Sequence, residues 1–301
     1  MRHWFSYTAY GLQIRSTLPI PEFIVSSGEP DVVIRLGQVE CLPFVIDPDV
    51  RFQFREQEAC FIYEDVGAFL VQQGREIVID PAPRVEERVL RLFILGPIIA
   101  MLLHQRGLLL LHASAVVVNN SVVAFLGDSG WGKSTTAAAL HTLGYGILTD
   151  EILAIVSCFE YPIALPAFPQ LKLWPEAAIF LGNDPKKLPR VHPQSDKRTC
   201  HANRKFPQRP LPLKRIYVLV EGLHQEIEPL QPQNAFIELV RHSYAARFLK
   251  ATGAASLHLH HCAKLASSVS ICSLIRPKSL AALPDLVRLL EKEQQELTTN
   301  C

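Results

Sequence analysis

No hydrophobic run in this chain is long enough to cross a bilayer. The most apolar stretch, LFILGPIIAMLL at residues 92–103, has twelve residues, where a membrane-spanning helix needs about 20. Arg88, Arg91, His104 and Arg106 flank it closely, so it reads as a buried core helix and no membrane partner is expected. An excess of charge of one sign is also missing. Thirty Lys and Arg face 29 Asp and Glu, for a net charge of +1, which gives no bulk attraction to nucleic acid. None of the seven cysteines (41, 60, 158, 200, 262, 272 and 301) belongs to a C-x-x-C pair. The opening MRHWFSYTAYGLQIRS lacks the apolar centre of a secretory leader. Reduced thiols and a cytoplasmic location are therefore the expectation. There is no internal repeat.

What is present is ordinary for a globular protein: 301 residues, 49% apolar and 20% charged. Residues 1–83 read as a smaller β-rich region, in which DVVIRL, FQFRE, ACFIYE, AFLVQQ and EIVID have strand composition. Residues 84–301 read as an α/β domain with a mixed sheet. Its first helix starts after Pro81 and Pro83, runs to about Gln105, and should kink or split at Pro97. LLLLHASAVVV and SVVAFL are two strands joined by a tight turn at Asn119-Asn120. A helix follows from 133 to 143 and ends at Gly144. YGILTDEILAIVS reads as strand, acidic break, strand. Residues 162–212 hold ten prolines, nine Lys or Arg and three Asp or Glu, and read as a weakly ordered basic insertion. RIYVLVEG is a buried strand, NAFIELVRHSYAARFLK a helix, SSVSICSLIRP a strand, and LAALPDLVRLLEKEQQEL an amphipathic closing helix.

The chemistry is concentrated in FLGDSGWGKSTTAAAL, residues 125–140. Gly127, Gly132, Lys133 and Ser134 fit G-x-x-x-x-G-K-[ST], with an apolar strand before and a helix after. Glycines let successive N–H groups curl toward phosphate oxygens, and the helix adds its positive end. The whole loop, Gly127, Asp128, Ser129, Gly130, Trp131, Gly132, Lys133, Ser134 and Thr135, is the expected ATP cradle. Lys133 reaches the β and γ phosphates, and Ser134 is placed to ligate Mg²⁺. An acid inside the loop is unusual, so Asp128 either caps the turn and faces outward or contacts the metal. Trp131 either packs or covers a phosphate.

Asp150 and Glu151 follow one helix and one strand later. A parallel sheet would return the chain beside the phosphate-loop strand and bring this pair to the cradle. One carboxylate can then serve as base while its neighbour helps organise Mg²⁺. Counting outward from Asn119-Asn120 sets His112 opposite Gly127, where it can bond a phosphate oxygen or carry a proton. In the insertion, Lys172, Lys197 and Arg198 are candidate substrate contacts, and Glu176 a further metal-side acid. HLHHC at 258–262 puts His258, His261 and Cys262 on one helix face, too few ligands for zinc.

The stretch LHASAVVVNNSVVAFLGDSGWGKSTTAAALHTLGYGILTDEILAI resembles the HPr kinase/phosphorylase family over residues 108–156. The shared features are a histidine before a strand hairpin, the G-D-S-G-x-G-K-S loop, a helix ending near glycine, and an acid pair. The resemblance implies a nucleotide fold like that of phosphoenolpyruvate carboxykinase, with Asp150 as the candidate base, Glu151 as a candidate metal-side acid and His112 at the family's histidine. His112-Ala113 replaces the family's His-Gly, and Asp150-Glu151 its Asp-Asp. PAFPQLKLWPEAAIFLG stands where its second signature would be. This points away from HPr as acceptor and toward the divergent HPr-kinase-like branch. The expected activity is an ATP-dependent kinase acting on a hydroxyl, a serine of a peptide or protein. A small sugar-like acceptor, a P-loop hydrolase and a nucleotide-binding regulator without turnover stay open, as does a homo-oligomer.

Overall fold

The computed structural model describes residues 3–40, 45–47, 50–55, 57–157, 161–192 and 194–299. The chain divides into two compact units, residues 1–110 with 244–259 and residues 111–243 with 260–301.

The first unit is built on a nine-stranded sheet. Its strands are β1 (Phe5–Ala9), β2 (Leu12–Ser16), β3 (Ile24–Val25), β4 (Val32–Leu36), β5 (Val45–Asp47), β6 (Val50–Arg55), β7 (Glu58–Tyr63), β8 (Gly67–Gln72) and β9 (Glu76–Pro81). Their order is β3-β1-β2-β4-β9-β8-β7-β6-β5. All five strands read from composition form. The β1–β2 hairpin adds to them, turning at Tyr10 and Gly11, which have φ of 55° and 70°. Helix α1 (Glu87–Phe93) continues through residues 94–98 into α2 (Ile99–Gln105). The break falls at Gly96 (φ −109°, ψ −108°) beside Pro97, because proline brings no N–H to the helical ladder. Phe93 packs on Tyr63 with ring centroids 4.3 Å apart. Cys60, in β7, is disulfide-bonded, against the expectation of reduced thiols. Cys200, Cys262 and Cys272 are free and buried, and Cys41, Cys158 and Cys301 lie outside the described residues.

The second unit contains β10 (Leu109–Val118), β11 (Ser121–Leu126), α3 (Lys133–Thr142), β12 (Gly146–Val156), β13 (Ile163–Ala164), β14 (Gln170–Leu173), α4 (Pro175–Phe180), β15 (Arg198–His201), β16 (Leu211–Glu221), β17 (Glu226–Pro229) and α5 (Pro232–Arg241). α6 (Leu249–Thr252) and the start of α7 (Ala255–Ser268) belong to the first unit, and β18 (Ser270–Arg276) and α8 (Leu283–Thr299) complete the second. Asn119 and Asn120 take φ of 48° and 59°, and the hairpin pairs Val118 with Ser121. That is the register expected for two left-handed turn residues.

The main sheet runs β11-β10-β12-β13-β16-β18-β17, and β11 also pairs with β16, so five strands close a circuit. This corrects the expected topology. β12 returns beside β10, and the free edge of the phosphate-loop strand is taken by β16, which runs parallel to it. The insertion is also more ordered than its composition suggested. β14 and β15 pair antiparallel, Lys172 opposite Thr199, and Leu171, Leu173 and Cys200 are buried in the core. The helix read across 234–250 stops at Arg241. There the His242 carbonyl accepts the His112 N–H at 2.8 Å and Ser243 bridges to Leu111.

Candidate functional site

Strand β11 is apolar from Val122 to Leu126, where the loop leaves it. Gly132 has φ of 83°, and a Cβ there would lie 2.7 Å from the Arg276 guanidinium. Only glycine takes that backbone and that contact together. The next residue, Lys133, opens α3. Its Nζ donates to the carbonyls of Gly127 at 2.7 Å and Asp128 at 3.3 Å. Burial lowers its pKa to about 8, with Asp150 pulling the other way.

A cavity of about 290 Å³ opens against this loop. His112, Ser129, Gly130, Gly132, Lys133, Ser134, Thr135, Asp150, Glu151, Lys172 and Lys197, all singled out by the sequence, line it. Asp150 is almost fully buried, at 7% exposure. Its Oδ1 accepts the Ser114 hydroxyl at 2.5 Å, and its Oδ2 accepts the Lys172 backbone N–H at 2.7 Å. Burial raises its pKa. Hydrogen bonds from Ser114, the Lys172 backbone and the Ser134 hydroxyl oppose that rise without cancelling it.

Consecutive residues of a strand point to opposite faces, yet Asp150 and Glu151 both reach this cavity. The backbone accounts for it. Glu151 has φ of 137°, a conformation that costs a side-chain-bearing residue about 1–3 kcal/mol and concentrates at functional sites. The Thr149 hydroxyl spans the irregularity, donating to the Ile152 carbonyl at 2.7 Å. The acidic break expected in the sequence is therefore a distortion inside one continuous strand. Glu151 forms an ion pair with Lys172 Nζ. Burial would raise its pKa, but Lys172 brings it below the ordinary value.

His112 stays neutral near pH 7. Burial, then Lys133, lowers its pKa to about 4. His112 and Ser114 are two apart on β10 and share a face, so the alternation of strand side chains held the signal for Ser114. Asp128 turns outward, its Oδ2 2.5 Å from Arg241 Nη2. Trp131 packs against the hydrophobic core, and its carbonyl accepts from Arg276. Arg198 is not on the cavity wall; it pairs with Leu173 and bridges Arg190. Glu176 lines a second cavity, of about 220 Å³. Trp174, Val191, Arg241 and Arg276 are additions that only the tertiary structure brings to the loop or its cavity.

The residues suit a magnesium nucleotide. The Ser134 hydroxyl and the Asp150 and Glu151 carboxylates are hard oxygen donors beside a phosphate cradle, and Mg²⁺ takes few protein ligands when phosphates supply the rest. Among the described residues no group of three or more His, Cys, Asp or Glu is placed to hold a metal ion. His258, His261 and Cys262 lie along α7, with His258 and Cys262 buried. No helix among the described residues is long and apolar enough to cross a membrane.

No family model matches the chain, and no curated protein matches it. Among solved structures it is similar to the Hpr(Ser) kinase/phosphatase from Coxiella burnetii. The identity is 11% and the TM-score 0.34, over 64% of this chain and 95% of that one.

Proposed function

We propose that this protein is an ATP- and Mg²⁺-dependent kinase that transfers the γ-phosphate to a hydroxyl, a serine of a peptide or protein. The observation that carries the reading is Asp150. It is a buried carboxylate on the wall of the cavity that Ser134 and the phosphate loop also line, held from behind by Ser114 and the Lys172 N–H. Holding Mg²⁺ on a bound nucleotide calls for one carboxylate beside the phosphates, and Glu151 meets that need, so Asp150 is a second one. Transfer to a hydroxyl needs a group that orients or deprotonates the acceptor.

In this reading the phosphate oxygens replace the Gly127 and Asp128 carbonyls as acceptors for Lys133 Nζ, and loop N–H groups hold the remainder. Asp150 takes the proton as the acceptor O–H bond breaks. The acceptor oxygen bonds to the γ-phosphorus, the bridging P–O bond breaks, and ADP leaves with the electron pair. Ser134 and Glu151 would hold Mg²⁺, which would supply charge neutralisation on the phosphates. Neutral His112 offers one hydrogen bond. Lys172 holds Glu151 ionised. Trp174 is 47% exposed, with Lys197 Nζ 5.4 Å from its ring, and Val191 lines the cavity beside them. This apolar, basic rim supports a peptide or protein acceptor over a small sugar-like one.

A regulator that binds nucleotide without turnover is favoured by one observation: the Lys172 ion pair already engages Glu151. γ-Labelled ATP offered with a panel of peptide and small-molecule acceptors, read by mass spectrometry, separates the two. The kinase reading expects Asp150→Asn to lose about 10²–10⁴ of the transfer rate, the range for loss of a general base, while ATP still binds. A wild-type protein that binds ATP and labels no acceptor gives the regulator instead.

A further inference from the structure

Three lysines line the cavity against the phosphate loop: Lys133, Lys172 and Lys197. Two of them have an anionic or carbonyl partner. Lys133 donates to the Gly127 and Asp128 carbonyls, whose place phosphate oxygens would take. Lys172 is ion-paired with Glu151. The carboxylates of the cavity are engaged as well, Glu151 by that lysine and Asp150 by Ser114 and the Lys172 N–H. Lys197 differs. It forms no ion pair among the described residues, and its ammonium group rests against the face of Trp174.

Lys197 ends the segment that joins α4 to β15, residues 181–197. That segment carries four Lys or Arg and two Asp. Both aspartates are satisfied within it. Asp184 Oδ1 accepts the Lys186 backbone N–H at 3.0 Å, and Asp196 pairs with Arg190 at 3.3 Å. No local acid therefore draws the Lys197 ammonium away from the cavity. Its charge reaches the chemistry: burial lowers the pKa of both His112 and Lys133, and Lys197 lowers each further. A cation held against an indole has lost part of its water, which strengthens a charge-assisted bond to an incoming anion. Trp174 and Val191 put apolar surface on the same wall. A cation flanked by apolar surface fits an aspartate or glutamate side chain, a short apolar stem that ends in a carboxylate.

We infer that Lys197 sets acceptor specificity: it selects serines in an acidic context, pairing with the carboxylate of an aspartate or glutamate one or two residues from the serine. The inference rests on the kinase reading above and narrows its acceptor to an acidic peptide. It divides the three lysines by task. Lys133 serves the nucleotide phosphates, Lys172 serves Glu151, and Lys197 serves the acceptor. In an extended peptide a residue two positions from the serine lies on the same side of the chain, so one wall can receive both. A carboxylate brought near the nucleotide is otherwise repelled by its phosphates. Without the lysine, an acidic neighbour turns from an advantage into a handicap.

The test is a set of serine peptides carrying Asp, Asn or Lys at each position from −2 to +2, phosphorylated by the full chain with γ-labelled ATP and Mg²⁺. At one position at least, Asp should raise kcat/KM about 10-fold over Asn, mainly through KM. Lys197→Met should level the three peptides. Lys197→Glu should reverse the order in favour of the Lys peptide, a result that a misfolded variant cannot give. In both variants the KM for the peptide should move more than the KM for ATP. Serine peptides labelled without regard to charge by the wild type overturn the inference and leave the kinase reading standing. A Lys197→Glu variant that raises the KM for ATP and keeps the preference for Asp places Lys197 on the phosphates and overturns it too. If no serine peptide is labelled, the peptide-kinase reading falls, and the inference with it.

Discussion

The phosphate loop makes its positive surface from backbone, whereas the facing wall of β12 and β14 makes its polarity from side chains that neutralise one another. On the loop side, the binding groups are N–H dipoles, the start of α3 and one buried lysine. On the other side, Asp150 and Glu151 stand against the Lys172 backbone and ammonium group. Backbone surfaces are insensitive to side-chain exchange except where a glycine or the lysine itself is changed. A wall of paired charges responds to every single substitution, because removing one partner leaves the other buried and uncompensated.

The largest break in this comparison is Lys133→Ala. It removes the buried lysine of the backbone wall, and transfer should fall by about 10³-fold or more, with weaker ATP binding in a calorimetric titration. Near-normal turnover would remove the loop from the mechanism. Asp150→Asn comes next and should spare ATP binding, since its loss falls on the acceptor side.

Lys172→Met sharpens the contrast. The backbone N–H that serves Asp150 remains, but Glu151 loses its cation. The acid pair should shift and the transfer rate should fall by about 10- to 100-fold, the scale of small misplacements at a reacting centre. Lys172→Arg should recover most of it. Steady-state kinetics on both variants decide the matter; an unchanged rate in Lys172→Met would mean the ion pair is ornamental to catalysis.

The smallest effect is on pH. Asp150 has a pKa above the ordinary carboxylate value of 3.8 because it is buried. The base form is therefore lost on acidification earlier than for an exposed aspartate, and the acid limb of kcat/KM should lie above that range. Lys133, lowered to about 8, loses its proton as the pH rises past that point, which should give an alkaline limb there. Asp150→Asn should erase the acid limb and leave the alkaline one.

The backbone wall was legible in the sequence because it is local. Eight residues fix the loop, Asn119-Asn120 fix the hairpin register that sets His112, and Gly144 ends the helix. The side-chain wall was legible only in part. Asp150 and Glu151 follow the loop at a short distance, but the partner of β12 depends on which distant strand fills the edge of β11, and nothing near residue 150 records that β16 does. The ordering of the insertion came from Leu171, Leu173 and Cys200 finding the core, against a proline-rich composition. Arg241 and Arg276 reach the loop from 113 and 145 residues away. No spacing rule connects such positions, and an arginine at the end of a helix or strand is ordinary by itself.

The closed circuit of strands also sets an order of assembly. β10, β11, β12 and β13 are complete once Ala164 has been made, but β16 begins at Leu211. Until then β11 has one bare edge along SVVAFL, an apolar strand of the kind that pairs with other chains when left uncovered. Contacts so far apart in sequence form slowly, because a long loop must close before any of them is gained. The cradle hangs from the last residue of β11, so it stays unanchored on that side while the intervening segment is synthesised. A chain cut short between Ala164 and Leu211 lacks the partner for that edge, whereas one that includes Val218 has every residue that pairs with β11 there.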